Sequence, residues 1–147
     1  MQTHAQDVTQ PYFSSLRYDV VNLRTGPGNR FPIAWAYLQK NYPVKVIDKH
    51  DLWYQIQEID GTTGWVHQTM VRARRYALVT EEETLRRKPD DNARRAAIVQ
   101  KGTIGRILKC PENSEWCQLE FQKEDKTIKG WLKKKFFYGV YDYEVID

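Results

Sequence analysis

Two stretches of this chain pass the same landmarks in the same order, and no other feature restricts its folding so tightly. Val21-Asn22-Leu23-Arg24 runs into Thr25-Gly26-Pro27-Gly28, and Glu83-Thr84-Leu85-Arg86 runs into Arg87-Lys88-Pro89-Asp90. Asn41-Tyr42-Pro43-Val44-Lys45-Val46-Ile47 is echoed by Lys101-Gly102-Thr103-Ile104-Gly105-Arg106-Ile107, each a turn followed by alternating apolar positions. Trp53-Tyr54-Gln55-Ile56 matches Trp116-Cys117-Gln118-Leu119, and Gly64-Trp65-Val66 matches Gly130-Trp131-Leu132. Leu23 to Leu85 spans 62 positions, Trp53 to Trp116 spans 63 and Trp65 to Trp131 spans 66. This drift is assigned to turns, where an extra residue costs little. Two copies of one unit of roughly 60 residues follow.

Within each copy the pattern is a meander of short strands divided by Gly, Pro, Asn and Asp, without a sustained helical period. Residues 47–53 and 108–116 read as hairpin turns, and Asp60-Gly61 between two strands is a strong hairpin signal. The stretch Arg94 to Val99 reads as the end of a long first loop and the strand after it. Five short strands per copy hide their edges most economically by closing on themselves. The predicted fold is therefore all-β: two tandem small barrels, over residues 12–76 and 77–147.

Hydrophobic residues at 41% and charged residues at 29% fit a globular chain and exclude wholesale disorder. Five Trp and nine Tyr favour pleated, half-buried surfaces and leave aromatics to spare for a binding face. A net charge of +4 is too mild for a dedicated nucleic-acid binder. Basic clusters at 72–75, 86–88 and 133–135 are read first as solvated faces and linker, and second as sites for phosphates or anionic polymers.

These residues carry a resemblance. In the first copy VNLRTGPGNRFPIAW, PVKVIDKHDLWYQI and TTGWVHQTMV resemble the opening strand and loop, central hairpin and closing strand of the bacterial SH3-like domain family. In the second, TLRRKPDDNARRAAIVQKGTIGRILKC, EWCQLE and GWLKKKFFYGVYDYE follow the same scheme, with Arg87-Lys88-Pro89 in place of Gly-Pro-Gly. The chain is similar to exported alphaproteobacterial-type proteins with two such domains in tandem, over about residues 16 to 143. The resemblance implies SH3-like β-barrels and a non-enzymatic module that recognises peptidoglycan-derived or other short peptides, or an envelope protein. It implies no cofactor.

It also implies a periplasmic or envelope location, with a cytoplasmic one as the alternative. MQTHAQDVTQ lacks the basic and apolar regions of a signal peptide, while Thr3-His4-Ala5 puts small residues where a signal peptidase cuts, so a removed upstream signal is the expectation. No run of about 18 apolar residues offers a membrane span. Cys110 and Cys117 lie across a predicted hairpin turn, within disulfide reach if their Cβ atoms face each other, and the exported proteins the chain resembles make a disulfide the expectation, the alternative being two half-buried thiols. Scattered His4, His50 and His67 complete no metal set and no cysteine–histidine pair for catalysis.

Trp53, Trp65, Trp116 and Trp131 recur at matching places and are read as core or rim packing. Trp35, Tyr37, Tyr42 and Tyr54 have no aromatic counterpart in the second copy. The expected contact surface is therefore Trp35, Tyr37 and Tyr54 beside Gly26, Pro27 and Gly28, with Arg24 or Arg30 meeting a carboxylate. An aromatic interface between the two copies is the competing reading. If Gly-Pro-Gly grips the ligand, the second copy grips it differently or not at all. The alternative function is nucleic-acid binding through the basic clusters, and any cell-wall enzyme is expected to be a separate partner. The tyrosine-rich 138–143 reads as a tail packed on the second barrel.

Overall fold

A computed structural model of the chain describes residues 6–37 and 39–147, and the side chains of Gln6, Asp7 and Tyr37, like Thr3-His4-Ala5, lie outside the description. The chain divides into two compact units, Met1–Arg74 and Arg75–Asp147.

The first unit holds Gln6–Leu16 (β1), Val21–Arg24 (β2), Ile33–Tyr37 (β3), Pro43–His50 (β4), Trp53–Gln57 (β5), Thr63–His67 (β6) and Val71–Arg72 (β7). The second holds Tyr76–Val79 (β8), Glu83–Arg86 (β9), Arg95–Val99 (β10), Ile104–Lys109 (β11), Trp116–Lys123 (β12), Lys126–Lys133 (β13) and Phe137–Tyr138 (β14). The hydrogen-bonded orders, β3-β2-β6-β5-β4-β1-β7 and β10-β9-β13-β12-β11-β8-β14, are the same order written twice. The architecture is all-β, and each unit carries seven strands where the sequence pattern suggests five. The additional pieces are an opening strand (β1, β8) and a two-residue closing strand (β7, β14) that pairs with it.

Alternation explains the cores. Leu16, Val21, Leu23, Val44, Val46, Ile56, Val66 and Val71 pack together in the first unit. The second packs around Val79, Leu85, Leu119 and Leu132, with both cysteines, Phe121 and Phe137. Leu23 and Leu85, 62 positions apart, are each completely buried. Neither can approach its sheet unless the facing residue lacks a side chain. Gly64 and Gly130 are those residues: a Cβ on Gly64 would lie 2.8 Å from Leu23 Cδ2, and one on Gly130 would lie 2.8 Å from both Leu85 Cδ2 and the Arg86 carbonyl. The Gly of each Gly-Trp pair is thus set by packing.

The hairpin turns fall where punctuation put them. Asp51 (φ 54°) sits between β4 and β5, and Gly61 (φ 91°) sits between β5 and β6. The drift before Trp116 falls in a longer turn, 110–115 against 51–52, but the step from 63 to 66 does not. β5 and β6 have five residues each, whereas β12 and β13 have eight each and are joined at Glu124-Asp125, with Glu124 at φ 55°. The extra residues lengthen a hairpin arm. β1 was also unforeseen: it spans eleven residues, shifting register against β4 between Asp7 and Tyr12 around Pro11, which has no N–H for a ladder.

The structure joins Cys110 to Cys117, with Cα atoms 4.3 Å apart. Cys110 also exchanges both main-chain hydrogen bonds with Ile146, at 2.7 and 2.9 Å. The tyrosine-rich tail is thereby tied into the second unit. Arg75 grips the Glu144 carboxylate with two bonds of 2.8 Å and donates a third to the Gly139 carbonyl, while buried Lys134 donates to the carbonyl of Asp142 at 2.8 Å. Burial works against a charge on Glu144, yet the Arg75 hydrogen bonds, the Tyr141 N–H and nearby cations hold its carboxyl below the usual range.

Candidate functional site

Arg24 ends β2 and turns back over the loop that follows. Its Nη1 donates to the carbonyls of Phe31 at 2.9 Å and Asn29 at 3.2 Å, so this nitrogen holds the loop's own backbone. Main-chain bonds complete the loop: Thr25 N–H to the Pro32 carbonyl (3.0 Å), Gly28 N–H to Gly26 (2.9 Å) and Phe31 N–H to Gly28 (3.2 Å).

The second copy repeats this wiring 62 positions on with different side chains. Arg86 Nη1 donates to the Ala93 carbonyl at 3.0 Å. Arg87 N–H reaches Arg94 (2.9 Å), Asp90 N–H reaches Lys88 (2.8 Å) and Ala93 N–H reaches Asp90 (3.0 Å). The hydrogen bonds set Lys88-Pro89-Asp90, and not Arg87-Lys88-Pro89, against Gly26-Pro27-Gly28, and the exchange leaves the loop geometry intact. The compensation is local. The Phe31 ring lies against Gly26, where a Cβ would come within 2.6 Å of it. In the second copy Lys88 replaces the glycine and Ala93 replaces the ring. Gly26→Ala is expected to lower stability by about 1–2 kcal/mol through overpacking. In Phe31→Ala the same change should be nearly silent, a coupling that a double-mutant cycle in urea reads directly.

Beyond the loop comes the strand that ends the hydrogen-bonded order, β3 or β10. Trp35 lies on β3 opposite Leu23, with 37% of its surface exposed, and Ile33 is 48% exposed. Arg30 is exposed, with its guanidinium 5.1 Å from the centre of the Phe31 ring. Gly26 is buried, while Pro27 and Gly28 are partly exposed. Tyr37 belongs to β3, but its side chain is outside the description. Tyr54, on β5, is three strands from Trp35 in the sheet order and packs on the core. The fold thus groups Arg24, Gly26, Pro27, Gly28 and Arg30 in one loop and puts Trp35 on the strand next to it.

The register also exposes a residue that the sequence left unmarked. Trp35 pairs with Leu23 as Ala97 pairs with Leu85. Where the first copy has an indole, the second has a methyl group, and an apolar hollow of about 650 Å³ opens there. The long β12–β13 hairpin walls it with Phe121 and Ile128. The signals were the Trp-to-Ala difference and the drift from 63 to 66, which point to one place only once the register is known.

The recurring tryptophans stay out of both core clusters and are half-buried. Trp53 meets His67 edge to face at 5.5 Å. Lys133 Nζ stands 5.3 Å from the centre of the Trp116 ring, and Lys109 Nζ stands 5.5 Å from that of Trp131. Members of all three basic clusters are engaged within their own units. Arg72 holds Asn41 (2.6 Å), Arg75 holds Glu144, Arg86 clamps its loop, and Lys133 meets Asp91 (3.0 Å) and Glu115 (3.4 Å). Among the described residues no group of His, Cys, Asp and Glu is arranged to hold a metal ion, and no helix is long and apolar enough to cross a membrane.

One acidic group is out of the ordinary. Burial, the Asp60 charge and a hydrogen bond to Asp60 push the Glu58 carboxyl up to about 7. The folded state therefore holds a proton that the unfolded chain releases between the ordinary carboxylate range and that value, and stability falls as pH rises through this window. Glu58→Gln is expected to abolish that decline, seen as a smaller difference between urea midpoints at pH 5 and pH 8 than in the unaltered chain.

Comparison with known proteins places these features. No curated protein matches the chain. Two solved structures are similar to it in backbone trace: NlpC1 from Trichomonas vaginalis, at 9% identity and a TM-score of 0.37, and NlpC2 from the same organism, at 10% and 0.38. The matches cover 93% and 89% of this chain but 50% and 49% of those structures, so this chain spans about half their length. The model of the bacterial SH3 domain matches residues 17–72 and again 79–135. With one clamped loop and one Gly-Trp closure in each matched segment, the chain belongs to the bacterial SH3 domain family and carries the domain twice.

Proposed function

We propose that the chain is a non-catalytic binding module of the bacterial cell envelope, built from two small barrel-like domains over residues 12–76 and 77–147. It recognises short extended peptides, derived from peptidoglycan or presented by an envelope protein. One observation carries this reading. In both copies a loop stiffened by main-chain hydrogen bonds and an arginine clamp leads into the strand that ends the sheet order, and apolar side chains are exposed on that strand. A terminal strand offers backbone donors and acceptors to an extended chain, and the side chains beside it supply selectivity. The first-copy contact surface is Trp35 with the Gly26-Pro27-Gly28 loop and Arg30. Arg24 supports that loop through Nη1, and exposed Arg30 is the arginine better placed to meet a ligand carboxylate. Engagement of Arg72, Arg75, Arg86 and Lys133 inside their own units weighs against nucleic acid as the partner.

Titration of soluble peptidoglycan fragments against the whole chain, followed by amide chemical shifts, tests the reading. Shifts should concentrate on residues 25–37, and Trp35→Ala should weaken binding by about tenfold, as for an aromatic anchor. Unchanged affinity in a folded Trp35→Ala variant would remove this surface. Oligonucleotide binding that falls steeply with salt would favour the nucleic-acid function instead.

A further inference from the structure

We propose that the second copy is a pocketed peptide site, in which an extended acidic segment of a protein partner lies along β10 and places one large apolar side chain in the hollow beside Ala97. The inference rests on the binding-module reading above and names the ligand class for one of its two sites. Three independent features of the second unit meet at this place.

The first is a main-chain template. β10 ends the sheet order and, among the described residues, is paired only with β9. The second is space of suitable chemistry. Every residue of β10 lines the hollow, with Leu85, Phe121 and Ile128 behind it, and its volume of about 650 Å³ exceeds that of any single side chain. The first copy shows what suits such a position, since Trp35 occupies the same register there. Gly105 contributes by its lack of a side chain, because a Cβ there would strike the Phe121 ring that forms the wall. Ile98, 49% exposed, offers further apolar surface to an added strand.

The third feature is charge. Arg95 and Lys123, both exposed, stand among the lining residues, and no acidic residue does among those described. Arg87 extends the same sign around the adjacent depression that shares Ala96 and Ile128, where Lys129 is paired with Glu120 at 3.9 Å. A basic rim around an apolar hole selects a peptide with carboxylates flanking an apolar residue and repels one flanked by lysines.

The test uses the whole chain and three blocked pentapeptides: Asp-Glu-Phe-Glu-Asp, its Phe-to-Ala form, and Lys-Lys-Phe-Lys-Lys. Amide shifts are expected on β10 and on the β12–β13 hairpin with the first peptide, and binding should be at least about tenfold weaker with the other two. Ala97→Trp fills the hollow with the first copy's own residue and should abolish binding at concentrations that saturate the unaltered chain. Arg95→Glu with Lys123→Glu leaves the interior untouched, so it should keep the fold while losing affinity and its salt dependence. Equal binding of all three peptides, shifts confined to the first unit, or full affinity in both variants would each overturn the proposal. If peptidoglycan fragments bind through Trp35 while the acidic peptide does not bind, this inference fails and the module's general function stands. If neither binds, both fail. Self-association of the chain that Ala97→Trp abolishes, without peptide binding, would assign the hollow to a second copy of the chain and overturn the proposal as stated.

Discussion

Gly130→Ala is expected to destabilise the second unit by about 3 kcal/mol, at the upper end of the usual penalty for overpacking a core. A Cβ at this position would overlap the buried Leu85 side chain and approach the Arg86 carbonyl to 2.8 Å. Leu85 is completely buried, and the Arg86 carbonyl belongs to β9, where the ladder fixes its position. In the equivalent change in the first unit, Gly64→Ala, the three nearest atoms all belong to the Leu23 side chain, at 2.8 to 3.1 Å. Side-chain atoms can rotate aside where a backbone carbonyl cannot, so about half the penalty is expected there. Urea unfolding monitored by amide hydrogen exchange, unit by unit, would rank the two variants. An equal penalty in both would mean that the backbone approach at Gly130 contributes nothing.

Replacing both cysteines by alanine is expected to cost about 2.5 kcal/mol, from the loop-closure entropy restored to the unfolded chain across so short a separation. The effect should exceed that of an ordinary surface cross-link because both sulfurs are buried in the second core and Cys110 also pairs with Ile146 in the tail. Exchange of the Ile146 amide should accelerate along with the loss of global stability. Thiol titration of native material tests the bond itself: no reactive thiol without reductant and two after denaturation with reductant are expected. The bond's presence in protein isolated from its own cell would support export to an oxidising compartment.

How far the sequence spoke for the structure depended on whether a signal was local. Alternating apolar residues, Asp60-Gly61 and the Gly-Trp pairs are local, and they placed strands, turns and the repeat correctly. The tail's packing on the second unit was also legible, although Glu144's partner Arg75 lies 69 positions away and could not be. The candidate site was less legible for two reasons. Nothing in the sequence says that the Arg24 guanidinium turns back onto the carbonyls of its own loop, so its structural role there was not legible. The hollow was invisible because it is a difference between copies: Ala97 matters only because Trp35 holds the matching register, and the lengthened hairpin matters only because its extra residues reach that spot. Pattern reading finds what two repeats share, whereas a site peculiar to one of them is written in what they do not share.

The twin loops after β2 and β9 share a skeleton drawn almost wholly in backbone amides and one guanidinium. Such a skeleton is indifferent to most of its side chains, so the eight residues from Thr25 to Pro32 and the eight from Arg87 to Arg94 are interchangeable parts, provided that a bulky ring and a facing glycine travel together. Lineages can respell either loop without refolding the domain beneath it, and a protein engineer inherits the same freedom.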